Sequence, residues 1–442
     1  MGAHRLRPRH PGQPGSARAA RRRGCRGGEG ARGARARRGA ARPHLQPRPW
    51  PAPGHGPPRD RRGRGGGAVV RRAAGAGGRC SPRIARLSVG VVLLNFGEPE
   101  NPTLAEVTPF LERIFQANMP LERTTVEASR GARSRELAAA RAPVLVETYR
   151  AIGGSPLNAQ SREQASALER ELRRRGVDAL CRAAFQFTSP SPEDALRAIL
   201  ADGAPTALVG LPVYPLSGPS TTVAALASLE HGARAAGWEG GVLELGGWHL
   251  HPDYLPFQAD HVRESCRVWQ VDVTDARTAL LFSIHGTPVK YLEGGSRYDR
   301  YVEEACAGIA RELGVARYHI GYQNHTNRPI EWTKPDVEAV AQEVDADRVV
   351  VVAASFMHEQ SETLAELDHD LRAMVEKRGM AFHRVAVPHA HPRFIAVLAD
   401  LVEARLERTP AGCAVALRRC VCRAGGAARC TNGLRGQGTV HL

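Results

Sequence analysis

The sequence predicts an α/β protein with two doubly wound parallel sheets, preceded by a disordered tail. Short apolar runs alternate with amphipathic stretches along residues 88–406, and four of these runs precede residue 250 while four follow it. Repeated strand–helix alternation is typical of βαβ units, whose strands run parallel. Residues 1–87 lack this pattern. We therefore expect a tail at 1–87, two similar halves at 88–250 and 251–406, and a second tail at 407–442.

The predicted strands are apolar along their whole length instead of alternating with polar residues. They are residues 89–96, 179–187, 206–213, 241–245, 278–284, 318–322, 348–354 and 382–387. Continuous apolar character is typical of strands that are buried on both faces of a parallel sheet. Ligands of such sheets bind beyond the carboxyl ends of the strands, so functional residues are expected there.

Two predicted helices have recognisable start signals. Residues 161–176 are amphipathic, with Ser161 and Gln164 spaced as a capping box and Gly176 as a stop. In the segment 191–200, a serine precedes a proline and two acidic residues, which is typical of a helix N-terminus.

The positive charge of the chain is concentrated in its first 87 residues. These hold 23 arginines, no lysine and two acidic residues, a net charge of +21, so the remainder carries −5. Such a Gly- and Pro-rich segment buries too little apolar surface to offset its ordering entropy, and we expect disorder. An artefactual upstream start, a targeting sequence and an arm that attracts RNA or membrane all remain open. For the folded part we expect no nucleic-acid partner.

Cysteine usage and hydropathy bear on the compartment. No apolar run approaches the roughly 18 residues of a membrane-spanning helix, and nine cysteines are too few for a disulfide scaffold. We expect a cytoplasmic protein with peripheral membrane contact at most. Four cysteines cluster near the end of the chain, at Cys413, Cys420, Cys422 and Cys430.

Two chemically competent segments follow predicted strands of the second half. His285 ends an apolar run and precedes Gly-Thr-Pro, which turns the chain at once. Imidazole titrates near neutral pH, at about 6.5, so it can accept a proton or bind a metal. Glu362, Glu366 and Asp370 share one face of a predicted helix, with Glu362 nearest its N-terminus. A core histidine and a solvated acidic face are the alternatives to a metal or proton path.

Six segments in order resemble the ferrochelatase family, whose members insert Fe²⁺ into a porphyrin. They are VVLLNFGEPE (91–100), YRAIGGSPL (149–157), LPVYPLSGPSTT (211–222), FSIHGTP (282–288), YQNHTNRPIEWTKP (322–335) and SFMHEQSETLAELD (355–368). The resemblance implies two Rossmann-like, chelatase-like domains with a porphyrin cleft between them, and a lyase of the last steps of haem biosynthesis. Fe²⁺ is then a substrate, as is the porphyrin.

The resemblance also implies roles for individual residues. His285 would accept pyrrole protons and bind Fe²⁺, and Glu362 would face it as a metal or proton-relay carboxylate. Glu366 and Asp370 would stand behind Glu362. Ring contacts are expected from Tyr214 and Phe96, and a propionate contact from Arg150. Gln186, and the Asn-His pair within 322–335, depart from many relatives, which leaves protoporphyrin IX and coproporphyrin III both open as substrates.

Some members of the family carry a [2Fe–2S] cluster near the C-terminus, and Cys413, Cys420, Cys422 and Cys430 supply the required four thiolates. A zinc site and free thiols are the alternatives.

The alternative functions are a different tetrapyrrole chelatase, for example one that loads cobalt, and a non-catalytic porphyrin- or haem-binding protein. The sequence predicts no oligomeric state.

Overall fold

The computed structural model describes residues 88–121, 129–325 and 330–406, together with two short strands near the C-terminus. The chain divides into a unit of residues 1–79 and a unit of residues 80–442, and every described residue lies in the second. The predicted disorder of residues 1–87 falls outside the described residues.

The first half contains four strands. Its elements are β1 (Ser88–Asn95), α1 (Leu104–Asn118), a 3₁₀ turn (Met119–Leu121), α2 (Arg130–Ala151), α3 (Leu157–Arg174), β2 (Asp178–Phe185), α4 (Pro192–Asp202), β3 (Ala207–Pro212), a π-helical turn (Pro219–Val223), α5 (Ala224–Ala235) and β4 (Val242–Glu244).

The second half repeats the alternation. Its elements are α6 (Tyr254–Trp269), β5 (Thr278–His285), α7 (Val289–Glu293), α8 (Tyr298–Leu313), β6 (His319–Gln323), α9 (Val337–Glu343), β7 (Arg348–Ala353), a π-helix (Glu362–Leu371), α10 (Arg372–Lys377), β8 (Ala381–Val385) and α11 (Pro392–Arg405). Two short strands, β9 (Cys430–Thr431) and β10 (Val440–His441), pair antiparallel.

The two main sheets have the same topology. Their strand orders are β2-β1-β3-β4 and β6-β5-β7-β8, and every neighbouring pair is parallel. All eight predicted strands are therefore confirmed. Their apolar runs are explained by burial on both faces: in β1 every residue after Ser88 is buried, and in β5 every residue before His285. The α/β fold class is confirmed.

One apolar core joins the two halves. It includes Leu157 and Leu168 from the first half and the fully buried aromatic rings of Phe257 and Phe394 from the second. Helix α11 returns from the second half to pack on α3. The two sheets lie on either side of residue 250 in the sequence, but they share one apolar core. A domain boundary at residue 250 therefore remains a prediction.

One of the two predicted helix starts is correct. Ser191 caps α4, and its hydroxyl and the Asp194 side chain form a capping box. The predicted start at Ser161 is wrong, since α3 begins at Leu157 and the Ser161 hydroxyl donates to the Leu157 carbonyl at 2.8 Å inside the helix. Leu157 is completely buried, and its packing extends the helix upstream of the serine.

Among the described residues, no helix is both long enough and apolar enough to cross a membrane.

A glycine is required at position 97 by the backbone conformation there and by the neighbouring side chains. Its φ is +82°, and a Cβ atom there would overlap the Thr188 side chain and lie 2.6 Å from the Phe185 Cβ. We predict that Gly97→Ala lowers the free energy of unfolding by more than 2 kcal/mol, since about 1–2 kcal/mol of left-handed strain is added to a steric clash.

The matched control is Gly153→Ala. Gly153 has a φ of +77° but no atom within 4 Å of a Cβ, so it should lose only about 1 kcal/mol. Urea denaturation of both variants measures the difference. Equal losses would show that the contacts with Thr188 and Phe185 do not constrain this position.

Candidate active site

Three parallel strands bring the candidate residues to one edge of the second sheet. His285 is the last residue of β5 and lies in register with Gln323, the last residue of β6. On its other side β5 pairs with β7, which ends at Ala353 beside Ser283. Because the three strands end together, the segments that follow them meet at the same place.

Hydrogen bonds fix the orientation of the His285 ring. Its backbone N–H donates to the Ser355 hydroxyl at 2.9 Å, and its carbonyl accepts from the Tyr298 hydroxyl at 3.0 Å. The ring Nδ1 lies 2.7 Å from the Gly286 carbonyl oxygen, which can only accept, so Nδ1 carries the hydrogen. In the neutral tautomer, Nε2 therefore has a lone pair available for a metal or a proton.

His285, His325 and Glu362 form a close group. One ligand atom from each lies within 4.8 Å of the others. The structure thus brings together the two residues that the sequence predicted, His285 and Glu362, and adds a second imidazole. Two ring nitrogens and a carboxylate oxygen are suitable ligands for a divalent transition metal such as iron.

His325 favours its neutral form. The residue is exposed, but its ring lies against the rings of His285 and Trp332, with ring centres 5.4 Å and 5.5 Å away. Desolvation, followed by repulsion from His285, lowers the pKa of His325 well below its ordinary value, and Glu362 opposes this shift only in part. A neutral imidazole can bind a metal or accept a proton.

Glu362 begins the π-helix, and two neighbouring side chains hold its carboxylate. The Gln360 amide and the Ser361 hydroxyl each lie 2.9 Å from Glu362 Oε2. The Gln323 amide donates to the Glu362 backbone carbonyl at 2.9 Å and to Glu366 Oε2 at 2.8 Å. Gln323 therefore ties the start of the π-helix to the end of β6.

Glu366 and Asp370 lie on the same π-helix as Glu362. Among the described residues, neither belongs to the close group with His285. Burial, and then repulsion from Glu362, raises the pKa of Glu366 to about 8, so this carboxyl keeps a proton at neutral pH. Asp370 is exposed. Their part in metal or proton transfer remains a prediction.

A cleft that is partly open to solvent lies beside His285 and Glu362, which both line it. Phe96 and Tyr214, the predicted ring contacts, both line it. The Tyr214 hydroxyl donates to Gln186 Oε1 at 3.3 Å, and Phe96 packs against Phe187 with ring centres 4.6 Å apart. The first half thus supplies an aromatic wall, Phe96 and Tyr214, to the cleft that the candidate metal ligands also line.

Arg150, the predicted propionate contact, is not among the residues that line the cleft. It is exposed near the end of α2, and its guanidinium pairs with Glu147 at 2.5 Å. A contact between Arg150 and substrate remains a prediction.

Sequence reasoning missed a buried carboxylate, Glu98. It is 4% exposed and accepts hydrogen bonds from the hydroxyls of Tyr149, Ser155 and Ser361. Desolvation, and then repulsion from Glu362, raises the pKa of Glu98 to about 7 against these hydrogen bonds. An acid between a glycine and a proline is usually on a surface turn, so nothing in the local sequence indicates that this side chain is buried.

His325 was also missed as a candidate ligand, although a signal was present. It lies two residues beyond the end of β6, the strand next to the one that ends in His285. The rule that ligands gather at the carboxyl ends of parallel strands would have selected it.

The chain is similar to proteins of a known family. The family model described as Ferrochelatase matches residues 88–406. The ferrochelatase of Synechococcus sp. (strain WH7803) is 34% identical over 332 residues, which cover 72% of this chain and 83% of that protein. The ferrochelatase of Nostoc sp. (strain PCC 7120) is 33% identical over 325 residues, 71% of this chain and 81% of that protein.

Solved chelatases are more distant. SirB from Bacillus subtilis with Fe³⁺ is 10% identical, with a TM-score of 0.42 over 74% of this chain and 99% of that one. CbiX, the terminal enzyme of sirohaem biosynthesis in denitrifying bacteria, is 15% identical, with a TM-score of 0.39 over 72% of this chain and 98% of that one.

The raised pKa of Glu366 predicts a pH-dependent stability. Between about pH 4.5, the ordinary value, and about pH 8, the native protein holds a proton that the unfolded chain has released. Stability contributed by this group therefore falls as pH rises through that window. We predict that Glu366→Gln loses less stability between pH 5 and pH 9 than the wild type, as measured by urea denaturation at both values.

Glu343→Gln, at an exposed position of α9, serves as the control and should follow the wild type. If Glu366→Gln also follows the wild type, Glu366 is not kept protonated by its surroundings.

Proposed function

The chain belongs to the ferrochelatase family, and we propose that His285 and Glu362 form the centre at which it inserts Fe²⁺ into a porphyrin. The protein is an enzyme of haem biosynthesis, a lyase whose substrates are Fe²⁺ and a porphyrin. Insertion replaces two pyrrole N–H hydrogens with the metal, so two protons must leave. The family assignment favours this reaction over a cobalt chelatase or a non-catalytic carrier.

The observation that carries the proposal is the hydrogen bond from His285 Nδ1 to the Gly286 carbonyl. It leaves Nε2 as the acceptor for a pyrrole proton, and the same carbonyl stabilises the imidazolium that results. Since His285 belongs to the close group with Glu362 and His325, the proton acceptor and the candidate iron ligands occupy one place.

Glu362 would take the second role, as an iron ligand and an acceptor for the other proton. Its carboxylate is oriented by Gln360 and Ser361. His325 offers a second nitrogen ligand. Glu366 and exposed Asp370 would stand behind Glu362 on the π-helix and pass Fe²⁺ inward or protons outward.

The cleft would bind the porphyrin between the aromatic wall and the candidate ligands. A planar porphyrin resists metal entry, because its four nitrogens converge on a small hole. Contacts with Phe96 and Tyr214 would supply binding energy that bends the ring and exposes nitrogen lone pairs, a distortion toward the transition state. Arg150 would reach a propionate only after leaving Glu147.

We predict that His285→Ala and Glu362→Gln each lower turnover by about 100-fold or more, since a positioned general base contributes about 10²–10⁴-fold. The measurement is the loss of free-porphyrin fluorescence with Fe²⁺ under anaerobic conditions. His231→Ala, on the exposed surface of α5, should retain wild-type turnover. Unaltered turnover of His285→Ala would refute the assignment.

We also propose protoporphyrin IX as the preferred porphyrin, with coproporphyrin III as the alternative. No described residue that lines the cleft is an arginine or a lysine, which favours the ring with fewer carboxylates. The expected result is a higher kcat/KM for protoporphyrin IX when both rings are assayed with the wild-type enzyme. A higher value for coproporphyrin III would reverse this preference.

For the C-terminal cysteines we propose a [2Fe–2S] cluster, on the number and type of their thiolates. Cys413, Cys420 and Cys422 lie outside the described residues, and Cys430 is described only as part of β9. Visible absorbance of the purified protein, lost when Cys420 and Cys422 are changed to serine, would support it. Detection of bound zinc, or of free thiols by titration, would instead support one of the two alternatives to the cluster.

We further propose that the enzyme acts in the cytoplasm, with only peripheral contact to membranes. Cell fractionation in high and low salt measures this, since a peripheral protein is released by salt.

A further inference from the structure

Glu98 connects the first half of the protein to the loop that leads into Glu362. The segment after β1 carries this carboxylate into a buried site, where it is 4% exposed. It accepts the Tyr149 hydroxyl at 2.9 Å and the Ser155 hydroxyl, both from the first half. From the second half it accepts both the backbone N–H of Ser361, at 3.2 Å, and the Ser361 hydroxyl.

The Ser361 hydroxyl lies between two carboxylates. Besides Glu98, its oxygen is 2.9 Å from Glu362 Oε2. A hydroxyl has a single hydrogen, so it can donate to only one of the two at a time. The Ser361 backbone N–H donates to Glu98 in either case, so the residue before Glu362 is held whichever carboxylate accepts the hydroxyl hydrogen.

A packing role alone does not explain a carboxylate at this position. Burying an acid costs free energy that an apolar side chain of similar size would avoid. The Glu98 carboxylate instead accepts four hydrogen bonds, and two of them hold the residue immediately before Glu362.

We propose that Glu98 is a positioning residue for Glu362: by holding the backbone and hydroxyl of Ser361, it sets the first turn of the π-helix and presents the Glu362 carboxylate to the metal. The proposal rests on the function proposed for His285 and Glu362. Glu98 itself is not among the described residues that line the cleft.

The test is the kinetics of Glu98→Ala and Glu98→Gln with Fe²⁺ and porphyrin varied separately. Loss of groups that orient a metal ligand commonly weakens metal affinity or activity by about 10–100-fold. We expect Glu98→Ala to raise the KM for Fe²⁺ at least about tenfold while the KM for porphyrin changes less than about twofold. Glu98→Gln should recover part of this loss, because its amide oxygen still accepts from Ser361.

Glu100→Gln is the matched control. It lies on the same segment, is about half exposed and pairs with Arg162 at 2.6 Å, away from Ser361. Its kinetic constants should equal those of the wild type. Unfolding in urea is measured for every variant, and if Glu98→Ala does not fold, the Fe²⁺ dependence of Glu98→Gln decides the question.

A double-mutant cycle with Ser361→Ala tests whether Glu98 acts through Ser361. We expect the KM for Fe²⁺ of the double variant to exceed that of the more affected single variant by no more than about twofold, because both changes break the same connection. Additive losses, a normal KM for Fe²⁺ in both Glu98 variants, or equal rises in both KM values would overturn the proposal. If His285→Ala is inactive while the Glu98 variants are normal, only the role of Glu98 fails. If His285→Ala is active, the proposed centre itself fails.

Discussion

The parallel pairing of β5 with both β6 and β7 is the constraint on which the candidate site depends. Three neighbouring strands that run in the same direction must end at the same edge, so the residues that follow them converge without long loops. His285 ends one strand, His325 follows the second, and the segment after the third leads to Glu362. The apolar runs that bury this sheet on both faces therefore also determine where the metal ligands meet.

Several acidic groups near the cleft are kept in costly surroundings. Glu98 and Glu366 both have raised pKa values, chiefly because burial disfavours the charged form and secondarily because Glu362 is near. Hydrogen bonds from Ser361 and Gln323 offset part of that cost. The reaction releases two protons from the porphyrin and admits a dication. Carboxylates that take up a proton or bind the dication repel one another less, so this region suits the reaction.

Much of this arrangement could be predicted from the sequence. All eight strands were predicted from continuous apolar runs, and the positions of His285 and Glu362 followed from the resemblance of short segments in order. The position of Ser161 inside α3 was not predicted, because capping patterns are local while the buried Leu157 that starts the helix is a tertiary feature. The π-helix could not be predicted either, since its sequence has the same amphipathic pattern as an α-helix.

The return of α11 onto α3 ties the two halves together. Arg175, which follows α3, forms ion pairs with Asp400 and Glu403 of α11 at 2.6 Å and 2.8 Å, beside the shared aromatic core. A fragment that stopped near residue 250 would lack α11 and expose the apolar surface of α3 to water. Such surfaces promote aggregation, so neither half should be obtainable as an independent soluble piece, even though each contains a complete sheet.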